Sequence, residues 1–262
     1  MSAETSAPRW RKYVAIGDSF TEGLNDIDPE NPATFRGWAD MLAANLQKRG
    51  AQELQYANLA IRGRLVSDVV GPQLEAALAL KPDLVSMVAG GNDILRPHVN
   101  PDILALRLER AVIEIRTAGA DVLLATGMDA KASPIVSQTR RRTALLNANI
   151  WSIARRHGAY VLDLWGMRAL RDWRMWSEDR IHLTTEGHER VSQAALVGLG
   201  LDPDDPNWDV PLGEAPDQSR LERLQSDVDW FKTHVFPWAT RRLRGKSSGD
   251  NKIAKRPDLG AL

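Results

Sequence analysis

Short apolar runs alternate along the chain with stretches in which apolar residues recur every three or four positions. The runs span residues 13–16, 54–59, 84–89, 122–126 and 160–164. Their length and composition are typical of strands buried on both faces. The helical spacing is clearest in two sets, Trp38, Met41, Leu42 and Leu46, and then Leu104, Leu108, Val112 and Ile115. Strands alternating with helices predict a five-stranded parallel sheet covered by helices on both faces.

Glycines mark the points where the predicted helices end. Gly50, Gly119 and Gly158 each follow an amphipathic stretch and precede the next apolar run by a few residues. This placement is typical of the glycine that terminates a helix. In parallel sheets the loops that leave the carboxyl ends of the strands carry the binding residues. The residues directly after each run are therefore the candidates for chemistry.

Composition and charge narrow the class of protein. The chain has 262 residues, 43% of them hydrophobic, which is enough for one substantial core. Its 34 Lys and Arg balance 34 Asp and Glu, so overall charge favours no nucleic acid partner. The absence of cysteine excludes disulfides and thiolate sites. With no secretory leader and no apolar run of roughly 18 residues, we expect a cytoplasmic protein.

The composition changes after about residue 201, which predicts the end of the core. We assign residues 1–205 to the main domain, 206–244 to a linker and a helix packed on it, and 245–262 to a disordered tail. The helix, residues 218–243, has Leu221, Leu224, Val228, Phe231 and Val235 at helical spacing. Basic and aromatic residues near 230–246 could contact an anionic membrane, but a solvated helix end is the expected interpretation. The oligomeric state stays open.

Three motifs follow predicted strands and offer groups for acyl transfer. Residues 17–23, Gly-Asp-Ser-Phe-Thr-Glu-Gly, place Ser19 between two glycines after the first strand. Gly63 follows the second strand, where a backbone N–H can approach a ligand without interference from Cβ. Asn92 follows a glycine pair after the third strand. Each motif also has a purely structural interpretation. Ser19 or Thr21 could be a helix N-cap, Gly63 could lie in a plain turn, and Asn92 could form an Asx turn.

A fourth motif places Asp179 three residues before His182. A carboxylate at that spacing can bind Nδ1 and leave Nε2 free to accept a hydroxyl proton. Thr184 and Thr185 can cap the helix that follows. A metal site built from His182, Glu186, His188 and Glu189 is the alternative, but its spacing does not match the zinc-binding pattern. Together the motifs supply a nucleophile, a base, an orienting acid and oxyanion donors.

These blocks resemble those of the SGNH hydrolases, also called the GDSL family, whose letters denote Ser, Gly, Asn and His. Phe20 stands where the family name has leucine. The resemblance implies a three-layer α/β/α, flavodoxin-like fold, extended here by the C-terminal helix. It also implies ester hydrolysis through an acyl-enzyme, with catalytic residues Ser19, Asp179 and His182. The implied oxyanion hole is formed by Ser19, Gly63 and Asn92, and the implied substrate is an acyl ester or acylated sugar.

The chain is also similar to mycobacterial SGNH octanoyltransferases, which implies an alternative reaction. A short or medium acyl chain would pass to a sugar acceptor such as a glucosylglycerate, with acyl-CoA as donor. Trp173 and Trp176 lie shortly before Asp179 and are candidates for a substrate-binding surface, although ordinary packing explains them as well. A non-catalytic carbohydrate- or lipid-binding module is the other class, but no catalytic position is missing. We expect neither a cofactor nor a metal.

Overall fold

The computed structural model describes residues 10–50, 53–129, 136–213, 233 and 247–262. Its strands are β1 (Lys12–Gly17), β2 (Gln55–Asn58), β3 (Leu84–Val88), β4 (Asp121–Ala125), β5 (Tyr160–Leu162) and β6 (Arg256–Gly260). Its α-helices are α1 (Ser19–Glu22), α2 (Trp38–Arg49), α3 (Val66–Asp68), α4 (Leu74–Ala79), α5 (Gly91–Ile94), α6 (Pro101–Thr117), α7 (Arg140–His157) and α8 (Thr185–Gly198). None of these helices is long and apolar enough to cross a membrane.

The strands form one six-stranded sheet in the order β5-β4-β3-β1-β2-β6. The pairs β1–β2, β1–β3, β3–β4 and β4–β5 are all parallel. The parallel sheet predicted from the apolar runs is therefore confirmed, with strand ends that differ by one or two residues. The five predicted parallel strands are all present, and β6 adds a sixth, antiparallel strand beside β2 that was not predicted.

The sixth strand also corrects the prediction of a disordered tail over residues 245–262. Residues 247–262 are described, and β6 pairs with β2 through Tyr56↔Gly260 and Asn58↔Arg256. Its sequence, Arg-Pro-Asp-Leu-Gly, has a composition that is depleted in strands, and proline is tolerated only at a sheet edge. The helix predicted over residues 218–243 lies outside the described residues.

Helices cover both faces of the sheet, which gives the predicted three layers. On one face Trp38 and Leu42 of α2 and Val191 of α8 pack in a cluster with Tyr13 of β1. On the other face α6 and α7 pack in a second cluster that includes Val14. Successive residues of β1 therefore enter opposite layers, as the pleat of a strand requires.

The glycines at the helix ends differ in conformation. Gly119 and Gly158 have φ of 90° and 63°, in the left-handed region that favours glycine. Gly50 has φ of −77° and caps α2 through its backbone N–H, which donates to Leu46 O and Gln47 O. The prediction of a helix-terminating glycine is therefore correct in position at all three sites, but only two of them use the left-handed conformation.

His188 is a buried histidine of α8 that makes the fold sensitive to acid. Its side chain is 1% exposed, and its Nδ1 accepts the backbone N–H of Trp38 at 3.2 Å. Burial lowers the pKa of His188 from its ordinary value of 6.5 to about 4, while the charge of Asp26 opposes the shift. The unfolded chain therefore binds a proton more readily between these two values, so this group destabilises the fold as pH falls from 6.5 towards 4.

We expect His188→Gln to reduce the loss of folding free energy in acid. Between pH 7 and pH 4.5 the wild type should lose ~2 kcal/mol more than the variant, as the shifted pKa implies. Urea unfolding of both proteins at the two pH values measures the change in unfolding free energy of each. Comparing the two changes cancels the contributions of the other titrating groups. An equal loss in both proteins would contradict the expectation.

Candidate active site

The turn after β1 presents Ser19 at the edge of the sheet. Asp18 is the N-cap of α1, because its Oδ1 accepts the backbone N–H of Phe20 at 3.1 Å. The alternative in which Ser19 or Thr21 caps the helix is therefore wrong. Ser19 is the first residue of the helix and is partly exposed. Its hydroxyl is not used as the cap of its own helix.

His182 lies directly against this hydroxyl. Its Nε2 is 2.9 Å from Ser19 Oγ, and its Nδ1 is 2.6 Å from Asp179 Oδ2. Two residues later Thr184 is the N-cap of α8, because its Oγ1 accepts the backbone N–H of Gly187 at 3.3 Å. The structure thus brings Ser19, His182 and Asp179 together in one hydrogen-bonded chain, although the serine is 163 positions away from the histidine.

The carboxylate of Asp179 is held by several donors. Its Oδ1 accepts the backbone N–H groups of Ile181 and His182, each at 2.9 Å, and the hydroxyl of Ser177 at 2.9 Å. Burial would raise the pKa of Asp179, but the hydrogen bond and charge of His182 and these backbone donors lower it well below its ordinary value. The carboxylate is therefore ionised at neutral and mildly acidic pH.

Asn25 and Ser177 complete this arrangement and were not predicted from the sequence. Asn25 Nδ2 donates to Asp179 Oδ2 at 2.9 Å and to Ser177 Oγ at 2.9 Å. Asn25 has φ of 76°, a conformation that asparagine tolerates better than most residues. Ser177 could have been predicted, because it lies only two positions before Asp179 in the sequence. Asn25 could not, because it lies 154 positions away from Asp179.

Asn92 connects the first and second motifs. From α5 its Nδ2 donates to Asp18 Oδ2 at 3.1 Å and to Arg64 O at 3.0 Å. Gly63 precedes Arg64 and has φ of 74°, so its position requires the left-handed conformation. An oxyanion at this point would share or replace one hydrogen bond of Asn92.

Burial raises the pKa of Asp18 to about 6, opposed by the Phe20 N–H and by the charge of His182.

The two candidate tryptophans differ in their contacts. Trp173 is 39% exposed, and the Arg180 guanidinium lies 5.8 Å from its ring centroid. Trp176 is partly buried, and its Nε1 donates to Leu170 O at 2.8 Å. The two ring centroids are 6.2 Å apart. Trp173 is therefore the more exposed of the two and lies beside Arg180, whereas Trp176 is partly buried and bound to the backbone of Leu170.

The histidines of the fourth motif do not form a metal site. His188 is buried against Trp38, whereas His182 binds Ser19 and Asp179. Within the described ranges no group of three or more His, Cys, Asp or Glu side chains is arranged to hold a metal ion.

Comparison with known proteins places these motifs in one family. A family model described as "GDSL-like Lipase/Acylhydrolase family" matches residues 15–190. No curated protein sequence matches the chain.

Solved structures share the fold. The acetylxylan esterase Axe2 from Geobacillus stearothermophilus is 23% identical with a TM-score of 0.61, over 73% of this chain and 95% of that chain. LAE5, an alpha/beta hydrolase enzyme from the metagenome of Lake Arreo in Spain, is 26% identical with a TM-score of 0.61, over 72% and 94%. TesA is 23% identical with a TM-score of 0.57, over 72% and 97%.

Proposed function

The chain belongs to the GDSL-like lipase/acylhydrolase family and is a serine esterase, and we propose that it cleaves acyl esters through a triad of Ser19, His182 and Asp179. The observation that carries this proposal is the 2.9 Å separation of Ser19 Oγ and His182 Nε2, with Nδ1 held by Asp179. The Axe2 variants described as catalytic mutants support it. They change a serine, a histidine and an aspartate three positions before that histidine.

The first step forms an acyl-enzyme. Ser19 Oγ attacks the ester carbonyl carbon while its proton passes to His182 Nε2. Asp179 keeps the imidazole in the tautomer that accepts this proton and stabilises the resulting positive charge. The tetrahedral intermediate then collapses, the bond to the alcohol oxygen breaks, and the alcohol leaves with the proton from Nε2. Water attacks the acyl-enzyme by the same route and releases the acid and Ser19.

We propose that three groups stabilise the oxyanion. The backbone N–H groups of Ser19 and Gly63 and the amide of Asn92 would donate to the former carbonyl oxygen. Such donors act on charge that develops only in the transition state, and each contributes about 3 kcal/mol. The position of Asn92 between Asp18 and Arg64 supports this role, because its amide lies beside the Ser19 turn and can exchange one of its two hydrogen bonds for one to the oxyanion.

We expect Asn92→Ala to lower kcat by roughly two to three orders of magnitude, the effect of losing one oxyanion donor. The side chain is at the loop end of α5, outside both apolar clusters, so the fold should persist. Hydrolysis of p-nitrophenyl acetate measures kcat, and the thermal unfolding midpoint provides the control. A folded variant with unchanged kcat would remove Asn92 from the oxyanion hole.

The alcohol portion of the substrate is proposed to contact Trp173. Its exposed ring beside the His182 loop offers an apolar face of the kind on which sugars stack.

The acyl-enzyme can pass its acyl group to water or to a sugar hydroxyl. A panel of p-nitrophenyl esters and acyl-CoA donors, assayed with and without sugar acceptors, decides between these reactions. Product that forms only with acceptor would identify an acyltransferase. Neither hydrolysis nor acyl transfer by this route requires a cofactor.

A further inference from the structure

The end of the chain returns to the candidate active site. Residues 247–262, here named the C-terminal strap, lie beyond the family match, which ends at residue 190. The strap includes β6, which pairs with β2. Since β2 leads directly into the loop that carries Gly63, the strap lies beside one of the proposed oxyanion donors.

The start of the strap packs directly against the loop that carries Gly63. A Cβ on Gly63 would lie 2.3 Å from Ser247 Oγ, and a Cβ on Gly249 would lie 2.0 Å from Arg62 O. Ser247 Oγ also donates to Gly63 O at 3.5 Å, a long hydrogen bond. At Gly249 the close atom belongs to the backbone, so a larger residue there would displace the strap or the loop, whereas at Gly63 it is the side-chain oxygen of Ser247. The strap covers the carbonyl side of the Gly63 peptide.

Lys255 makes a second contact, with the turn that carries Ser19. Its side chain is 11% exposed and forms an ion pair with Asp40 at 2.6 Å. Its Nζ also donates to the backbone oxygens of Glu22 at 2.8 Å and Phe35 at 2.7 Å, and to that of Arg36. Glu22 is the last residue of α1, the helix that begins at Ser19. A buried ammonium with this many oxygen acceptors holds their backbones in one arrangement.

Glu22 joins the two contacts. While its backbone oxygen binds Lys255, its carboxylate accepts the backbone N–H of Arg62 at 2.7 Å and forms an ion pair with the Arg62 guanidinium. Arg62 precedes Gly63. One connected set of hydrogen bonds therefore runs from the strap through α1 to the Gly63 loop.

We propose that the C-terminal strap positions the active site, with Lys255 fixing the Ser19 turn and Ser247 and Gly249 holding the Gly63 loop. This inference rests on the proposed esterase function. Its physical basis is that a misplacement of about 1 Å in catalytic groups reduces rates strongly. If β6 merely covered the sheet edge, loss of its contacts would change stability and leave the rate of the folded enzyme unchanged.

Lys255→Met, with Lys252→Met as its matched control, tests the first contact. Lys252 lies in the same strap but is exposed. Lys255→Met should lower kcat for p-nitrophenyl acetate roughly ten- to hundredfold, with KM within about twofold of wild type because the strap acts on the catalytic groups. Lys252→Met should match the wild type. Since the single change leaves the buried Asp40 unpaired, Lys255→Met/Asp40→Asn is measured beside it.

Gly249→Ala tests the second contact without removing a charge. Its new Cβ must displace Arg62 O or the strap, whereas a Cβ on Gly213 would meet nothing within 4 Å. We expect Gly249→Ala to lower kcat and leave KM near the wild-type value, and Gly213→Ala to change neither. Because the change is local and leaves Lys255 in place, it tests the hold of the strap on the Gly63 loop even if both Lys255 variants unfold.

Folded variants with wild-type kcat, or with a change in KM alone, would overturn the role of the strap. Far-UV circular dichroism and thermal midpoints above the assay temperature establish that each variant is folded. Failure of the esterase function looks different: the wild type would be inert, or Ser19→Ala would be as active as the wild type. An active wild type, an inactive Ser19→Ala and an unaffected strap would refute only the strap.

Discussion

Ser19→Ala is expected to lower kcat for p-nitrophenyl acetate by at least about four orders of magnitude, as loss of a serine nucleophile does in other triads. Without Oγ no acyl-enzyme forms, and His182 Nε2 has no hydroxyl at 2.9 Å from which to take a proton. The fold should persist, because the helix cap is provided by Asp18. Steady-state kinetics and the thermal midpoint measure the two effects.

Covalent labelling makes the same prediction independent of substrate choice. A fluorophosphonate probe should modify the wild type at Ser19 and leave Ser19→Ala unmodified, because only an activated serine reacts with it. Ser67→Ala is the control, since Ser67 is an exposed serine on the short helix α3. A wild type that resists the probe would favour a binding module that has kept the fold without the reaction.

Much of this site could be predicted because its chemistry is local in sequence. Ser19 and Asn92 directly follow strands, so a parallel sheet places them at one edge. Asp179 and His182 are close enough to bond within one turn of chain. Each apolar run was long enough to define a buried strand. Local pattern and sheet topology therefore account for the position of Ser19 and Asn92 and for the pairing of Asp179 with His182, whereas only the family resemblance brought His182 to Ser19.

The remaining parts depend on contacts between residues far apart in the chain. Arg256 and Gly260 belong to a strand because β2 offers an open edge, although proline and glycine in that segment argue against a strand. Lys255 contacts residues about 215 to 233 positions away. Asn25 reaches Asp179 only after the fold has formed. No spacing or composition rule connects such partners.

A network of this kind explains how a four-residue helix can hold a nucleophile. α1 is too short to be stable alone. Asp18 caps its start and also binds Asn92 through its other oxygen, while Lys255 holds the backbone oxygen of Glu22 at its end. The Ser19 turn is therefore fixed at both ends by side chains from other elements.

The orienting acid offers the second prediction of large effect. Asp179→Asn is expected to lower kcat by about four orders of magnitude, as the corresponding change does in other triads. The reason lies in the donors around the carboxylate. Oδ1 accepts from the backbone N–H groups of Ile181 and His182 and from Ser177, so the amide oxygen of asparagine would occupy that side.

The amide NH2 of the variant would then face His182 Nδ1. To accept this hydrogen bond, the imidazole must carry its proton on Nε2, where it can no longer take the proton of Ser19. Because the pKa of Asp179 is well below its ordinary value, the wild-type carboxylate is ionised at every assay pH. The loss of kcat in the variant should therefore appear at every assay pH. Glu178→Gln, at an exposed neighbouring position, should retain activity. A loss smaller than about tenfold in a folded Asp179→Asn enzyme would show that the imidazole does not depend on this carboxylate for its tautomer.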